Sequence, residues 1–192
     1  MPPKPKYTKQ QIVDAALEVV ARKGVESLTA KELSYALNTS TTPIFTVFRS
    51  MQEVQDEVKN AAMERFESFA HKAAGEMPLF KQIGMQMILF AKEEPQLYRL
   101  VFMSANNDVR SFDDIFAQLG KVAEECLDAI QKDYGLSRED SGTLFEHTWI
   151  HTFGIGVLCA TGMCCFSDEE ISNMLTQDFM AMLQLLKSGG KY

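Results

Sequence analysis

The chain is predicted to be all-α, with a small three-helix head, a long fourth helix and a larger helical body. Three observations predict this. Apolar residues recur at i, i+3, i+4 and i+7 rather than in alternation, which is the period of a half-buried helix. Hydroxyl side chains precede these runs and glycine or proline closes them, as helix boundaries require. No run of alternating β-branched residues lies between turn signals, so no sheet is expected.

The elements follow in order. Thr8 caps a first helix whose apolar positions Ile12, Ala15, Ala16, Val19 and Val20 share one face, and Gly24 ends it. Thr29 opens a second helix, with Glu32 completing a T-x-x-E capping box and Leu33, Ala36 and Leu37 forming its buried side. Asn38 stops that helix because it tolerates left-handed backbone better than most residues with a side chain. Ser40 is the expected cap of a third helix, in which Pro43 falls in the first turn, where its missing N–H is harmless, and Ile44 and Phe48 share a face.

A fourth helix is expected over about residues 51–76. The body then begins near Pro78, with helices at about 78–93, 95–104, 111–133, 138–161 and 168–187. Pro95, the polar break "SANNDV", Gly135 and the "GMCCFSDEE" junction separate them. The leader and the "KSGGKY" tail are expected to be disordered.

Charge is distributed unevenly along the chain. Residues 1–50 hold seven Lys/Arg against four acids, +3, so the rest carries −10 of a total of −7. That asymmetry suits a head facing a polyanion, while the global acidity argues against indiscriminate nucleic-acid binding. The start "MPPKPKYTKQQ" lacks the apolar stretch of a signal peptide and no run reaches membrane-spanning length, so a cytoplasmic protein without membrane association is expected. Cys126, Cys159, Cys164 and Cys165 form no paired CxxC units and are expected to be reduced core thiols.

Three short helices with a tight turn between the second and third have the arithmetic of a helix-turn-helix, whose second member enters the major groove of double-stranded DNA. The motif spans about residues 29–48, within a head of residues 1–52 followed by a body of 53–192. "STTPIFTVFRS" supplies what groove entry asks for: short hydroxyl side chains that bond phosphates or base edges, threonine methyls that touch thymine, and a cation. The candidate DNA-binding residues are Thr29, Lys31, Ser40, Thr41, Thr42, Phe45, Thr46 and Arg49.

The segment Ile12 to Val54, "IVDAALEVVARKGVESLTAKELSYALNTSTTPIFTVFRSMQEV", resembles the N-terminal head of TetR-family transcriptional regulators. It matches an I-x-x-A-A-x-x-(L/V) helix, a glycine followed by (L/F)-T, an (I/L)-A helix, a turn and an aromatic-x-x-F close. Three positions depart from that pattern: Asn38 stands where the family usually has glycine, Phe45 where it usually has a phosphate-contacting tyrosine, and Met51 where it usually has lysine. Each lost phosphate contact weakens binding and flattens its salt dependence, leaving Lys4, Lys6, Lys9, Lys31 and Arg49 to supply charge. The resemblance implies a dimeric repressor that binds a pseudo-palindromic operator and responds to a small-molecule effector. The alternative is an all-α ligand-binding or interaction dimer whose head has lost specific DNA binding.

For the body, the resemblance implies a ligand-binding and dimerisation domain. "HTWIHTFGIGVLCATG" is similar to the W-x-H-G helix of one subset of family bodies, which marks Trp149 and His151. Adaptable thioethers and aromatic faces suit a cavity for an apolar or aromatic molecule, so the candidate ligand-binding residues are Phe90, Phe102, Met103, Phe116, His147, Trp149 and His151. His147 and His151 stand four apart on one helix face, but no third ligand is specified by spacing and no metal site or cofactor is expected. The last two helices carry apolar stripes suited to a two-fold four-helix interface, with Phe153, Gly156, Ala160, Met174, Phe179, Met182, Leu183 and Leu186 as candidates. No Gly-rich phosphate loop, nucleophile elbow or paired-carboxylate motif points to an enzyme.

Overall fold

The computed structural model describes residues 6–71, 78–104 and 111–189. Those residues form ten α-helices and no strand. The expected disorder of residues 1–5 and 190–192, the expected end of the fourth helix at residue 76 and most of the "SANNDV" break lie outside them. The chain divides into two compact units, residues 1–66 with 94–104, and residues 67–93 with 105–192.

In the first unit, α1 (Lys9–Lys23) starts at a complete capping box: Thr8 Oγ1 accepts from the Gln11 N–H at 3.2 Å and Gln11 Oε1 accepts from the Thr8 N–H at 2.9 Å. Ile12, Val13, Ala16, Val19 and Val20 are buried, while Ala15 is only half-buried. α2 (Ala30–Ala36) begins at Thr29, whose hydroxyl accepts from the Glu32 N–H at 3.1 Å. The expected return bond from Glu32 is not made, because its carboxylate takes the Lys23 ammonium, a stronger partner than a neutral N–H. Ala36 is exposed and Ser34 is buried in its place, its hydroxyl satisfied by the Lys31 carbonyl at 2.7 Å.

α3 (Thr42–Val47) begins one residue later than a Ser40 cap would place it, with Thr41 at the N-cap and no side-chain cap. The shift brings Pro43 nearer the helix start, where proline's fixed φ is best accommodated. α4 (Met51–Ala70) follows directly; Ser50 Oγ accepts from the Glu53 N–H and the Glu53 carboxylate accepts from the Arg49 N–H at 2.8 Å. Val54, Val58, Ala62 and Phe66, spaced by four, are fully buried.

The first unit therefore extends past the boundary expected at residue 52, because the apolar stripe of α4 prolongs the head's core. It also recruits α6 (Pro95–Tyr98) and a π-helical turn (Arg99–Met103), where one helix over 95–104 was expected. Phe102 sets its ring edge-on to Phe66 and tilted on Tyr98, both at 5.0 Å, and Arg65 pairs with Glu18 and Glu94.

The second unit contains α5 (Leu79–Glu93), α7 (Phe112–Leu119), α8 (Lys121–Tyr134), α9 (Arg138–Ala160) and α10 (Asp168–Lys187). The single helix expected over 111–133 is broken at Gly120, whose φ of 51° no ordinary residue adopts cheaply. α5 packs on α9 and α10, with Met85, Ile88, Ile155, Ile171 and Leu175 forming the core between them. A second centre is aromatic: Phe145, 1% exposed, meets Phe80, Phe112, Phe116 and Trp149 at centroid distances of 5.5 to 6.0 Å. Of the four thiols expected in the core, only Cys126 is buried; Cys159 and Cys164 are half-buried and Cys165 is exposed, because the last two sit in the α9–α10 loop.

Candidate nucleic-acid interface and ligand cavity

The turn between α2 and α3 is set by Asn38, with φ at 49°, the one positive-φ residue other than glycine among the described residues. Around it the Asn38 N–H donates to the Tyr35 carbonyl and the Thr39 N–H to that of Ser34, closing the α2 end within a few residues. Ile44 and Phe48 are buried below α3, which turns the remaining side chains outward.

The eight candidate DNA-binding residues, Thr29, Lys31, Ser40, Thr41, Thr42, Phe45, Thr46 and Arg49, are all exposed. Their hydroxyls are not equivalent. Thr46 donates its proton to the Thr42 carbonyl at 3.0 Å and presents a methyl and lone pairs, Thr29 is occupied as a cap, and Thr41 makes no capping bond. The cations sort similarly: Lys9 pairs with Glu57 at 2.8 Å and Lys23 with Glu32, whereas the charged groups of Lys6, Lys31 and Arg49 have no carboxylate partner among the described residues. Lys6 is held at the turn, its ammonium donating to Thr39 Oγ1 at 3.2 Å, while the Tyr7 hydroxyl donates to the Leu37 carbonyl at 2.7 Å.

One residue of this surface was missed. Tyr35, 65% exposed on α2, lies 5.8 Å from the Lys31 ammonium and presents a phenol beside a cation. Its spacing of four from Lys31 was the available signal. With Phe45 46% exposed, both α2 and α3 present an aromatic side chain outward.

The second unit forms a partly open cavity of about 280 Å³. α5 supplies Phe80, Lys81, Ile83 and Gly84, α8 supplies Cys126 and Tyr134, α9 supplies Thr148, Trp149 and Thr152, and α10 supplies Leu175, Thr176, Phe179 and Met180. Phe179 is the central ring, 5.4 Å from Phe80 and 4.9 Å from Tyr134, and Trp149 stacks on Phe145 behind the wall. Burial pushes the Cys126 thiol well above its ordinary range, which leaves it an inert apolar wall group, and desolvation also raises the Tyr134 phenol.

Of the seven candidate ligand-binding residues, the structure brings Trp149 to this cavity. Phe90 is fully buried against Phe69, and Phe116 packs edge-on to Phe145. Phe102 and Met103 belong to the first unit. His147 and His151 are half-buried away from the lining, and His151 Nδ1 stands 3.1 Å from Asp178 Oδ1. No group of three or more His, Cys, Asp or Glu side chains converges among the described residues. The cavity side of α5 and Tyr134 escaped sequence reasoning because nothing local separates a lining phenylalanine from a core one.

The candidate interface residues divide as well. Gly156, Ala160, Phe179, Met182 and Leu183 are buried within the chain itself, Met174 packs against the Ile171 and Leu175 core, and Phe153 and Leu186 are half-buried. α9 and α10 instead leave Ile150 55%, Met180 53% and Leu185 37% exposed. Most of the stripe read from the sequence is therefore covered within this chain.

The described residues thus form an all-α chain with a helix-turn-helix head, an outward hydroxyl and cation surface and a helical body with a cavity. Comparison with solved structures makes the fold specific: it is that of TetR-family transcriptional regulators. A TetR-family protein from Vibrio parahaemolyticus superposes with a TM-score of 0.64 at 15% identity over 90% of this chain and 97% of its own. A TetR-family member from Streptomyces coelicolor A3 gives 0.60 at 17% identity, over 91% and 98%. AibR, solved with isovaleryl coenzyme A and operator DNA, gives 0.56 at 12% identity, over 88% and 97%. No family model matches the chain, and no curated protein matches its sequence. No helix among the described residues is long and apolar enough to cross a membrane.

Proposed function

We propose that this chain is a DNA-binding transcriptional regulator, a repressor acting in the cytoplasm as a homodimer on a pseudo-palindromic operator and released or engaged by a small apolar or aromatic effector. The observation that carries the reading is the exposed surface of Thr41, Thr42, Thr46, Lys31 and Arg49 around a helix-turn-helix, in a fold shared with regulators. A dimer is supported by Ile150, Met180 and Leu185, large apolar side chains uncovered on the last two helices, since exposed apolar groups of this size on neighbouring helices favour association. An effector is supported by the aromatic cavity, and AibR, a structural neighbour, was solved with both a ligand and operator DNA.

The test is selection of bound fragments from a genomic library, followed by footprinting. Recovery of an inverted repeat with salt-sensitive affinity is expected. Failure to retain any fragment at low ionic strength would instead support the alternative, an interaction or ligand-binding dimer with a relic head, which Phe45 in place of a phosphate-contacting tyrosine motivates. Charged substitution of Ile150 and Leu185 should give monomers and collapse operator affinity, because each head alone binds one half-site weakly.

A further inference from the structure

The cavity is mostly apolar, with polar groups from Lys81, Tyr134, Thr148, Thr152 and Thr176. Thr148 and Thr152 line it, but their hydroxyl protons are committed to the carbonyls of Leu144 and Thr148, each at 2.7 Å, so they offer acceptors rather than donors. Among the described residues no carboxylate lines the cavity, and Lys81 is the one charged lining group.

Lys81 is half-buried, and among the described residues its ammonium has a single partner, Thr176 Oγ1 at 2.8 Å. That hydroxyl gives its own proton to the Ser172 carbonyl at 2.7 Å, so it accepts from Lys81 without neutralising it. The contrast on the same helix is direct: Lys92, near the other end of α5, pairs with Asp168 at 2.6 Å. A cation at the edge of an aromatic cavity, with no carboxylate partner among the described residues, is stabilised by an anion that arrives with an apolar body. One cation balances one negative charge, which favours a monoanion over a phosphate dianion.

We propose that the cavity takes an amphipathic monocarboxylate, its hydrocarbon or aromatic body among Phe80, Trp149 and Phe179 and its carboxylate on the Lys81 ammonium. The inference rests on the reading of this cavity as the effector site and adds the ligand's charge and its point of recognition. Thr176 is a positioning residue, holding the ammonium at the cavity rim.

The test uses two matched pairs, octanoate with octanamide and 4-phenylbutyrate with 4-phenylbutyramide, titrated into the full chain at neutral pH. Trp149 is the chain's single tryptophan and lines the cavity, so its fluorescence reports occupancy, with calorimetry as a second readout. Each acid is expected to bind about ten-fold more tightly than its amide, the effect of one charge-assisted hydrogen bond. Lys81→Met should bring the acid down to the amide, Lys81→Arg should keep the preference, and added salt should weaken the acids alone. Equal affinity of acid and amide in the native chain, or a preference that survives Lys81→Met, overturns the inference while leaving the cavity as a neutral-ligand site. Absence of binding by all four probes overturns both the inference and the effector reading.

Discussion

The head presents its chemistry outward and the body turns its chemistry inward. In the first unit Ile12, Leu33, Ile44 and Phe48 are fully or almost fully buried, so α2 and α3 display hydroxyls and cations on a firm base. In the second unit the functional candidates are core-type residues, and Phe80, Trp149 and Phe179 differ from Phe145 only in bordering a void. A surface that meets a polyanion can be read from residue type and local spacing. A cavity cannot, because it is defined by what fails to fill the space between helices.

The largest expected effect breaks the body while sparing the head's surface. Phe145→Ala removes the ring that four other aromatic side chains contact and should lower stability by about 3–5 kcal/mol, the usual range for a buried phenylalanine. Urea denaturation measures this, and a loss below about 1 kcal/mol would mean that the aromatic centre is loosely packed.

Substitutions on the head's surface should do the reverse, with stability changed by no more than about 0.5 kcal/mol. Thr42→Ala should cost about 1–3 kcal/mol at a preferred base and relax preference there. Arg49→Ala should weaken all sites alike and reduce the salt slope by about one. Binding titrations over a salt series on native and shuffled operators separate the two behaviours.

Two smaller changes, opposite in kind, sharpen the comparison. Asn38→Gly relieves the φ of 49° in the head and should add about 0.5–1 kcal/mol of stability. Gly84→Ala in α5 should add a similar amount through helix propensity, since the new Cβ would meet Leu175 Cδ1 at an ordinary 3.5 Å. The second change also narrows the cavity, so ligand affinity should fall only for Gly84→Ala; thermal melting and ligand titration on both variants test this.

The smallest expected effect is electrostatic. His71 Nε2 lies 2.8 Å from Glu125 Oε2, and that hydrogen bond raises the histidine above its ordinary 6.5 and lowers the carboxylate below its ordinary 4.5. The histidine's contribution is complete below 6.5 and is lost as pH rises through its raised folded value. The carboxylate's is complete above 4.5 and is lost as pH falls through its lowered folded value. The pair is therefore strongest between those limits, by about 0–1 kcal/mol because it is exposed. His71→Gln should flatten the stability profile between mildly acidic and alkaline pH.

Most helix boundaries were legible in the sequence because they are local. Thr8, Gly24, Thr29 and Gly135 act on groups within a few residues, and α5, α9 and α10 begin and end within about a residue of their expected limits. Where local signals competed, the reading slipped. Glu32 chose Lys23 over its capping bond, Pro43 overruled Ser40, and Gly120 divided a helix that its neighbours would have continued.

By itself, the sequence determined an all-α chain with a helix-turn-helix whose threonines and arginine face outward, since period, caps and turn chemistry act over one or two turns of backbone. Only the tertiary structure decided that Lys81, Trp149 and Phe179 meet around one space, that Phe102 and Met103 belong to the other unit, and that Met182 and Leu183 are covered within the chain. The physical reason is that a helical stripe specifies that it will be buried but carries no mark of its partner, and that choice is made by packing among helices far apart in the chain.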